Sequence, residues 1–88
     1  MCFQFDPRKA AANRKKHGVS FADAEGVFFD PLAIHQTDPG TDDEDRFIGL
    51  GKGSAGQLLV VVYTLRGDDI RLISARRATR KEVKNYET

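Results

Sequence analysis

The chain contains a single cysteine, Cys2, so it cannot form an internal disulfide. It also lacks a long apolar run. The longest one covers residues 58–63, which suits a strand and falls far short of the roughly 18 residues of a transmembrane helix. The first residues, MCFQFDPRK, lack the basic lead and apolar core of a secretory signal. These absences favour one globular domain over residues 1–88 in the reducing cytoplasm.

Familiar metal, nucleotide and hydrolase motifs are absent as well. The soft or imidazole ligands, Cys2, His17 and His35, have no paired spacing, so we predict no zinc site. The acidic stretch at residues 38–45 lacks the alternating ligands and closing glutamate of an EF-hand. GKGSAG, at residues 51–56, lacks the Lys-Ser/Thr ending of a P-loop, and we interpret it as a hairpin loop. Because no G-x-S-x-G motif occurs either, we predict no cofactor and no serine-hydrolase site.

The net charge of +1 conceals an uneven distribution of charge along the chain. Residues 1–19 contain five Lys or Arg and one acid, residues 20–45 contain eight acids and no Lys or Arg, and residues 46–88 contain nine Lys or Arg and four acids. If the two basic ends meet in the fold, they form a positive face suited to nucleic acid. Alternatively, the acidic and basic parts neutralise each other. Charge alone favours neither interpretation.

Capping signals predict where the first two helices begin and end. Asp6 suits the N-cap of a helix and Pro7 its first position, because the missing N–H of proline would have had no partner there. Gly18 is the residue type that ends such a helix in the left-handed conformation. Ser20 can cap a second, short helix over residues 21–28.

Apolar and β-branched residues predict about four strands, arranged as an antiparallel meander. Their approximate ranges are Leu32–Gln36, Arg46–Leu50, Gln57–Leu65 and Ile70–Arg76. Thr79 and Glu82 have the spacing of a capping box and predict a final helix. The predicted fold class is therefore α+β, with two N-terminal helices, about four antiparallel strands and a C-terminal helix, the helices lying against one sheet face.

Positive charge is concentrated where the last strand meets the last helix. The stretch RLISARRATRKE, residues 71–82, contains Arg71, Arg76, Arg77, Arg80 and Lys81. Like charges so close together cost free energy unless a negative group binds them. Arginine is planar, always charged and matched to phosphate oxygens, and it can stabilise the extra charge of a pentacoordinate transition state.

These arginines fit an RNA-cleaving site that needs no metal. RNA carries its own nucleophile, the 2′-hydroxyl, so such a site requires cations at the phosphate, a base near that hydroxyl and an acid at the leaving oxygen. The candidates for base or acid are His17, Glu82, Tyr86 and Lys16.

Three segments together carry a resemblance to a known family. FDPRKAAANRKKHGVSFADAEGVFFDP, DEDRFIGLG and RLISARRATRKEVKNYE resemble the BrnT family of type II toxin–antitoxin ribonuclease toxins over nearly the whole chain. Many relatives have a tryptophan before the first aspartate, where this chain has Phe5. The resemblance implies a RelE-like fold and a metal-independent endoribonuclease that cuts cellular RNA. It also implies a ribbon-helix-helix antitoxin, BrnA-like, that masks the toxin, and a complex that binds operator DNA and represses its own operon.

We predict two groups of site residues. The catalytic group is Arg76, Arg77, His17 and Glu82, and the RNA-binding group is Lys16, Arg46, Arg71, Arg80 and Tyr86. In the predicted mechanism the 2′-hydroxyl attacks and leaves a 2′,3′-cyclic phosphate and a 5′-hydroxyl. The two arginines hold the phosphate, and His17 or Glu82 transfers protons.

Most of these residues also have a purely structural interpretation. Consecutive strand residues start on opposite faces, so one of the two arginines can pair with an acid instead. His17 can bind the last carbonyls of its helix, and Glu82 is explained by its capping box. Tyr86 can anchor the helix to the core, and Arg46 and Arg71 can pair across strands with an acid such as Asp45 or Asp69. A rival function follows, namely a toxin-like binding module without catalysis that engages the antitoxin and tunes DNA repression.

Overall fold

A computed structural model of the chain describes residues 2–40 and 46–88. Its elements in chain order are β1 Phe3–Gln4, α1 Pro7–His17, α2 Phe21–Ala24, a 3₁₀ helix Glu25–Phe29, β2 Ile34–Thr37, β3 Arg46–Lys52, β4 Leu58–Arg66, β5 Asp69–Arg77 and α3 Arg80–Glu87. The strands form one sheet in the order β1-β5-β4-β3-β2. This confirms the α+β class. The predicted acidic loop falls partly on residues 41–45, which lie outside the described residues.

The sheet has five strands instead of the predicted four. The additional strand, β1, pairs in parallel with β5, whereas the other neighbouring strands are antiparallel. The amide of Ile70 donates to the carbonyl of Cys2 at 2.9 Å in this pairing. β1 has only two residues, too few to show the alternation by which a strand is recognised in sequence.

The second predicted helix is also different in detail. Its cap is confirmed, because the Ser20 hydroxyl accepts from the amide of Asp23 at 3.0 Å. The α-helical part, however, ends at Ala24 and the chain continues as a 3₁₀ helix. There Gly26 lies against the hairpin between β3 and β4, so closely that an added Cβ would overlap the backbone nitrogen of Ser54. The predicted hairpin loop is confirmed, but it is shorter than expected because β3 extends to Lys52.

The other capping predictions are confirmed. The Asp6 carboxylate accepts from the amide of Arg8 at 2.9 Å, and Gly18 ends α1 with a φ of 72°. Both halves of the capping box between Thr79 and Glu82 are present at the start of α3. Among the residues that the structure describes, no helix is long and apolar enough to cross a membrane.

The main core lies between one sheet face and the first helices. Side chains from β4 and β5, including Leu59, Val61 and Leu72, are buried there against Phe21 and Val27. Burial of this apolar surface is the principal driving force for the fold.

The final helix lies on the opposite sheet face, so the prediction that all helices share one face is wrong. Val60 and Leu50 alternate with the core residues and point away from them, and both are buried outside the main cluster. Glu82 and Asn85 of α3 line a hollow above these two side chains. The predicted order of strands does not indicate on which sheet face α3 lies, because the turn after β5 determines the side of the sheet to which the helix folds.

A buried amide attaches α1 to the outer edge of β5. Asn13 is 7% exposed, and its side-chain amide group donates to the carbonyls of Val19 at 3.0 Å and of Ala75 at 2.9 Å. Its side-chain oxygen accepts from the amide of Ala75 at 3.0 Å. Asn13 thus takes the place of a neighbouring strand, because its side chain bonds both the backbone N–H and the backbone C=O of Ala75.

Candidate functional site

The arginine-rich junction contains a two-point ion pair between Arg76 and Glu82. The Nη1 and Nη2 groups of Arg76 donate to the two carboxylate oxygens of Glu82 at 2.8 and 2.9 Å. Nη1 also donates to the carbonyl of Arg77 at 3.2 Å. Glu82 additionally accepts from the amide of Thr79 at 2.8 Å. The structural alternative, in which one of the two arginines pairs with an acid, is observed for Arg76, and the pair connects the end of β5 to the first turn of α3.

This pair fixes the charge state of both partners. The hydrogen bonds from Arg76, together with those from Thr79, lower the pKa of Glu82 to about 2. The hydrogen bond to Glu82 raises the pKa of Arg76 above its usual value. Glu82 is therefore ionised at neutral pH, with both oxygens engaged, whereas a general base works best with a pKa near the operating pH.

Arg77 points into a groove between the sheet and α3. The side chain is exposed, and the groove has a volume of about 610 Å³. Its lining residues come from the β3–β4 hairpin, the end of β5 and one side of α3: Lys52, Gly56, Gln57, Leu58, Arg77, Ala78, Val83, Tyr86 and Glu87. Two cations and one aromatic ring share this groove. Such a combination can bind a phosphate and stack on a base.

The aromatic residue of the groove, Tyr86, is held by Asp30. Its hydroxyl donates to one carboxylate oxygen of Asp30 at 2.7 Å, and the amide of Lys52 donates to the same oxygen at 2.9 Å. The other oxygen accepts from the amide of Leu32 at 3.0 Å. The bonds from Lys52 and Tyr86 lower the pKa of Asp30, and the bond to Asp30 raises the pKa of Tyr86. Tyr86 therefore keeps its proton at neutral pH.

Asp30 was missed by sequence reasoning as a site residue. Asp30-Pro31 is a common helix-ending pair, so it indicated only that the preceding helix stops there. The 56-residue separation between Asp30 and Tyr86 gives no local signal that could have connected them.

His17 and Lys16 line a different hollow. It has a volume of about 210 Å³, lies between α1 and β5, and is also lined by Lys9, Ile73 and Ser74. The hollow is not lined by Arg76, Arg77 or Glu82. The structure therefore brings three of the four predicted catalytic residues to the junction, with Arg76 and Glu82 paired beside the groove of Arg77. It places His17 in separate surroundings.

The two strand arginines lie in one row across the sheet. Arg46 of β3 is opposite Thr64 of β4, which is opposite Arg71 of β5. The alternative of an ion pair between Arg71 and Asp69 is not observed in the described residues, and Asp69 accepts from the Gln4 side chain at 2.7 Å. The expected partner of Arg46, Asp45, lies outside the described residues. Arg80, the last predicted RNA-binding residue, is the exposed first residue of α3.

His35 takes part in an aromatic cluster on the core side of the sheet. Its Nδ1 lies 2.8 Å from the hydroxyl of Tyr63, and the ring centroid of Phe28 lies 5.6 Å from that of His35. Burial lowers the pKa of His35 and raises that of Tyr63. Within the described residues there is no group of three or more His, Cys, Asp or Glu side chains placed to hold a metal ion.

Comparison with known proteins identifies a family model and a similar solved structure. The family model described as "Ribonuclease toxin, BrnT, of type II toxin-antitoxin system" matches residues 5–82. Among solved structures, the crystal structure of the Brucella abortus ribonuclease toxin BrnT is similar, with a TM-score of 0.72 and 25% sequence identity over 91% of this chain and 99% of that one. No curated protein matches the chain in sequence. Because the family model covers most of the sequence, this chain belongs to the BrnT family of ribonuclease toxins of type II toxin–antitoxin systems.

Proposed function

We propose that this chain is a toxin that cuts cellular RNA, inhibits translation and growth, and is neutralised by an antitoxin. Family membership supports the general class of activity. The observation that supports the location is the groove in which Arg77, Lys52 and Tyr86 meet beside the pair of Arg76 and Glu82. We place the scissile phosphate at this junction.

Arg76 retains part of its guanidinium for a ligand. A guanidinium has five N–H groups. Three of those of Arg76 are used, two by Glu82 and one by the Arg77 carbonyl, which leaves the Nε–H and one Nη2–H without a partner in the described residues. These two N–H groups lie on one edge of the guanidinium and form a fork that matches two phosphate oxygens. The Arg76 side chain is 41% exposed, so this edge is accessible.

In this arrangement Glu82 acts as a positioning residue. Its two oxygens hold one edge of Arg76 and thereby aim the other edge, while Arg77 contributes a second cation from the groove. The low pKa of Glu82 supports this role over proton transfer. His17 remains a predicted acid or base, and Lys16, Arg46, Arg71 and Arg80 remain predicted RNA contacts outside the groove.

The proposed chemistry needs no metal. The 2′-hydroxyl of the substrate attacks the adjacent phosphorus, the bond to the 5′-oxygen breaks, and the products end in a 2′,3′-cyclic phosphate and a 5′-hydroxyl. Two arginines at the phosphate would stabilise the additional negative charge of the transition state. Tyr86, which keeps its proton, offers a ring for stacking on a neighbouring base.

The test is RNA cleavage by the purified toxin in excess EDTA. We expect the wild type to cleave and the double variant Arg76→Ala, Arg77→Ala to lose activity by about 100-fold or more, as when a donor to the developing charge is removed. Arg66→Ala is the matched control, because Arg66 is an exposed arginine at the opposite end of β4 and should not affect cleavage. Products with 3′-hydroxyl ends, or loss of wild-type cleavage in EDTA, would contradict the mechanism.

A second candidate function is a binding module without catalysis. Both carboxylate oxygens of Glu82 are already bonded to Arg76, and His17 lies in a separate hollow. Neither residue therefore supplies a free acid or base in the groove, which favours a function without catalysis. The two functions differ in cells. An active toxin should be hard to maintain without its antitoxin, whereas a binding module should be tolerated. For either function we propose a ribbon-helix-helix antitoxin whose complex with this chain represses their operon.

A further inference from the structure

Strand β2 forms a free edge of the sheet. It is the last strand in the order β1-β5-β4-β3-β2, and all four of its residues are exposed. The backbone on its outer side has no strand neighbour in the described residues. Such an edge is a ready template for a strand from another chain.

The pairing with β3 determines which backbone groups point outward. The amide of Asp38 donates to the carbonyl of Arg46 at 3.0 Å, in register with the pairs Gln36–Ile48 and Ile34–Leu50. Antiparallel pairs alternate between hydrogen-bonded and non-hydrogen-bonded. The N–H and C=O groups of the intervening residues, His35 and Thr37, therefore point away from β3 toward the open edge.

Apart from its short length of four residues, this edge lacks the usual features that prevent strand addition. Lysine, proline and bulges protect exposed edges in many proteins, but the sequence of β2 is Ile-His-Gln-Thr. Ile34 is 43% exposed and Leu32, just before the strand, is 68% exposed. Beside Ile34 lies a hollow of about 170 Å³ that continues under α3. Its lining on the sheet is mostly apolar, with Ile34, Ile48, Leu50 and Val60 beside Gln36, and Glu82 and Asn85 of α3 close it.

Charge indicates what kind of partner fits this edge. In the described part of the chain, two acids flank the strand along the sequence, because Asp30 precedes β2 and Asp38 follows it. A second copy of this chain would bring the same negative charge to the contact. A partner with lysine or arginine near its strand would instead be attracted.

We propose that the β2 edge binds an extended strand of the antitoxin, which adds to the sheet as a sixth strand. Apolar side chains of that strand would cover Ile34 and the hollow, and its basic residues would approach Asp30 and Asp38. Backbone bonds to His35 and Thr37 would set its register, as in other recognition by strand addition. The proposal rests on the proposed toxin role of this chain, which supplies the partner.

Amide hydrogen exchange tests the proposal directly. The probe is the antitoxin, taken as the protein encoded by the reading frame next to the toxin gene. On its binding, the amides of His35 and Thr37 should exchange roughly 100-fold more slowly, because both gain acceptors. The amide of Gln36, which already bonds to β3, serves as the internal reference. Unchanged exchange at His35 and Thr37 in the complex would overturn the proposal.

Two variants test the same edge by affinity. Thr37→Pro removes an outward N–H without removing a bond to β3, and Thr37→Val keeps that N–H. Ile34→Arg places a cation on the edge, and Leu65→Arg is its control because Leu65 is 49% exposed at the other end of β4. We expect Thr37→Pro and Ile34→Arg to weaken antitoxin binding at least about tenfold, and both controls to bind as the wild type does. Wild-type affinity of folded Ile34→Arg would overturn the proposal.

The remaining outcomes separate this proposal from the proposed activity. Loss of affinity in Thr37→Pro, with RNA cleavage absent from every form, would support the edge and contradict the catalytic function. A dimer of the free toxin that Thr37→Pro dissociates would assign the edge to a second copy and overturn the proposal. Absence of any complex with the antitoxin would contradict both the toxin role and the proposal that rests on it.

Discussion

The first and last helices of this protein are attached in opposite ways. α1 places the amide of Asn13 inside the core, where it bonds to the backbone of Ala75 and Val19. α3 has no buried residue, and its polar contacts are the ion pair of Glu82, its own capping box and the Tyr86 hydroxyl. α1 is thus part of the cooperatively folded core, whereas the attachment of α3 to the sheet depends on polar and charged contacts. A site at the base of α3 can therefore loosen without unfolding the molecule.

The largest expected effect is that of Asn13→Ala. This substitution leaves the amide and carbonyl of Ala75 and the carbonyl of Val19 buried without partners, so the free energy of unfolding should fall by about 2–4 kcal/mol. Urea denaturation would measure it. Asn85→Ala is the control, because Asn85 is exposed on α3 and should change stability by less than about 0.5 kcal/mol. Equal effects of the two substitutions would remove the distinction between the helices.

Glu82→Gln should act on α3 alone. It removes the charge from the bond to Arg76, a partly exposed pair worth about 1 kcal/mol or less. We expect faster amide exchange within residues 80–87 and little change in urea denaturation. Glu87→Gln, an exposed change on the same helix, should leave exchange as in the wild type. If Glu82→Gln lowers global stability as much as Asn13→Ala does, α3 belongs to the cooperative core.

Acid should loosen α3 through the same carboxylate. The pKa of Glu82 is about 2 in the folded chain, below its ordinary 4.5, so its contribution to stability is present above pH 4.5 and is lost as the pH falls from 4.5 toward 2. Asp30, whose pKa is also lowered, adds a loss in the same direction. We expect amide protection in α3 to decline over this range in the wild type. The decline should be smaller in Glu82→Gln, and an identical pH profile would contradict the assignment.

The smallest effect should be that of Tyr86→Phe. The substitution removes the bond to Asp30 but keeps the ring, so thermal stability should stay close to that of the wild type. The expected change is a shift in the NMR signals of the Lys52 and Leu32 amides, which share the Asp30 carboxylate. Tyr63→Phe is a comparison inside the core, where the lost partner is His35. Unchanged Lys52 and Leu32 signals would show that the Tyr86 bond is not formed in solution.

Local signals in the sequence were sufficient for most of the secondary structure. Asp6, Gly18, Ser20 and Thr79 cap helices as predicted, because capping depends on residues within one turn of each other. The ion pair of Arg76 and Glu82 was likewise within reach of sequence reasoning, since six residues separate the partners and the capping box fixes the position of Glu82.

Contacts between distant segments were not predictable from the sequence. β1 is recognisable only from its pairing with β5, 67 residues later at Phe3 and Ile70. No local pattern in the sequence indicates that Asn13 is structural, because its partner Ala75 is 62 residues away. The distance between His17 and the arginines depends on where α1 crosses the sheet, which no local pattern specifies.

Asn13 also affects where strands of other chains can add to this sheet. A sheet with two open edges can add strands at both and grow into a fibre. Here β1 covers the outer side of β5 near Ile70, and the Asn13 amide occupies the backbone of Ala75 farther along. Within the described residues, β2 is therefore the edge that offers the longer run of backbone for a new strand, with four residues against two in β1. The side chain that anchors α1 thus also protects part of one sheet edge, and it directs assembly through the sheet toward β2.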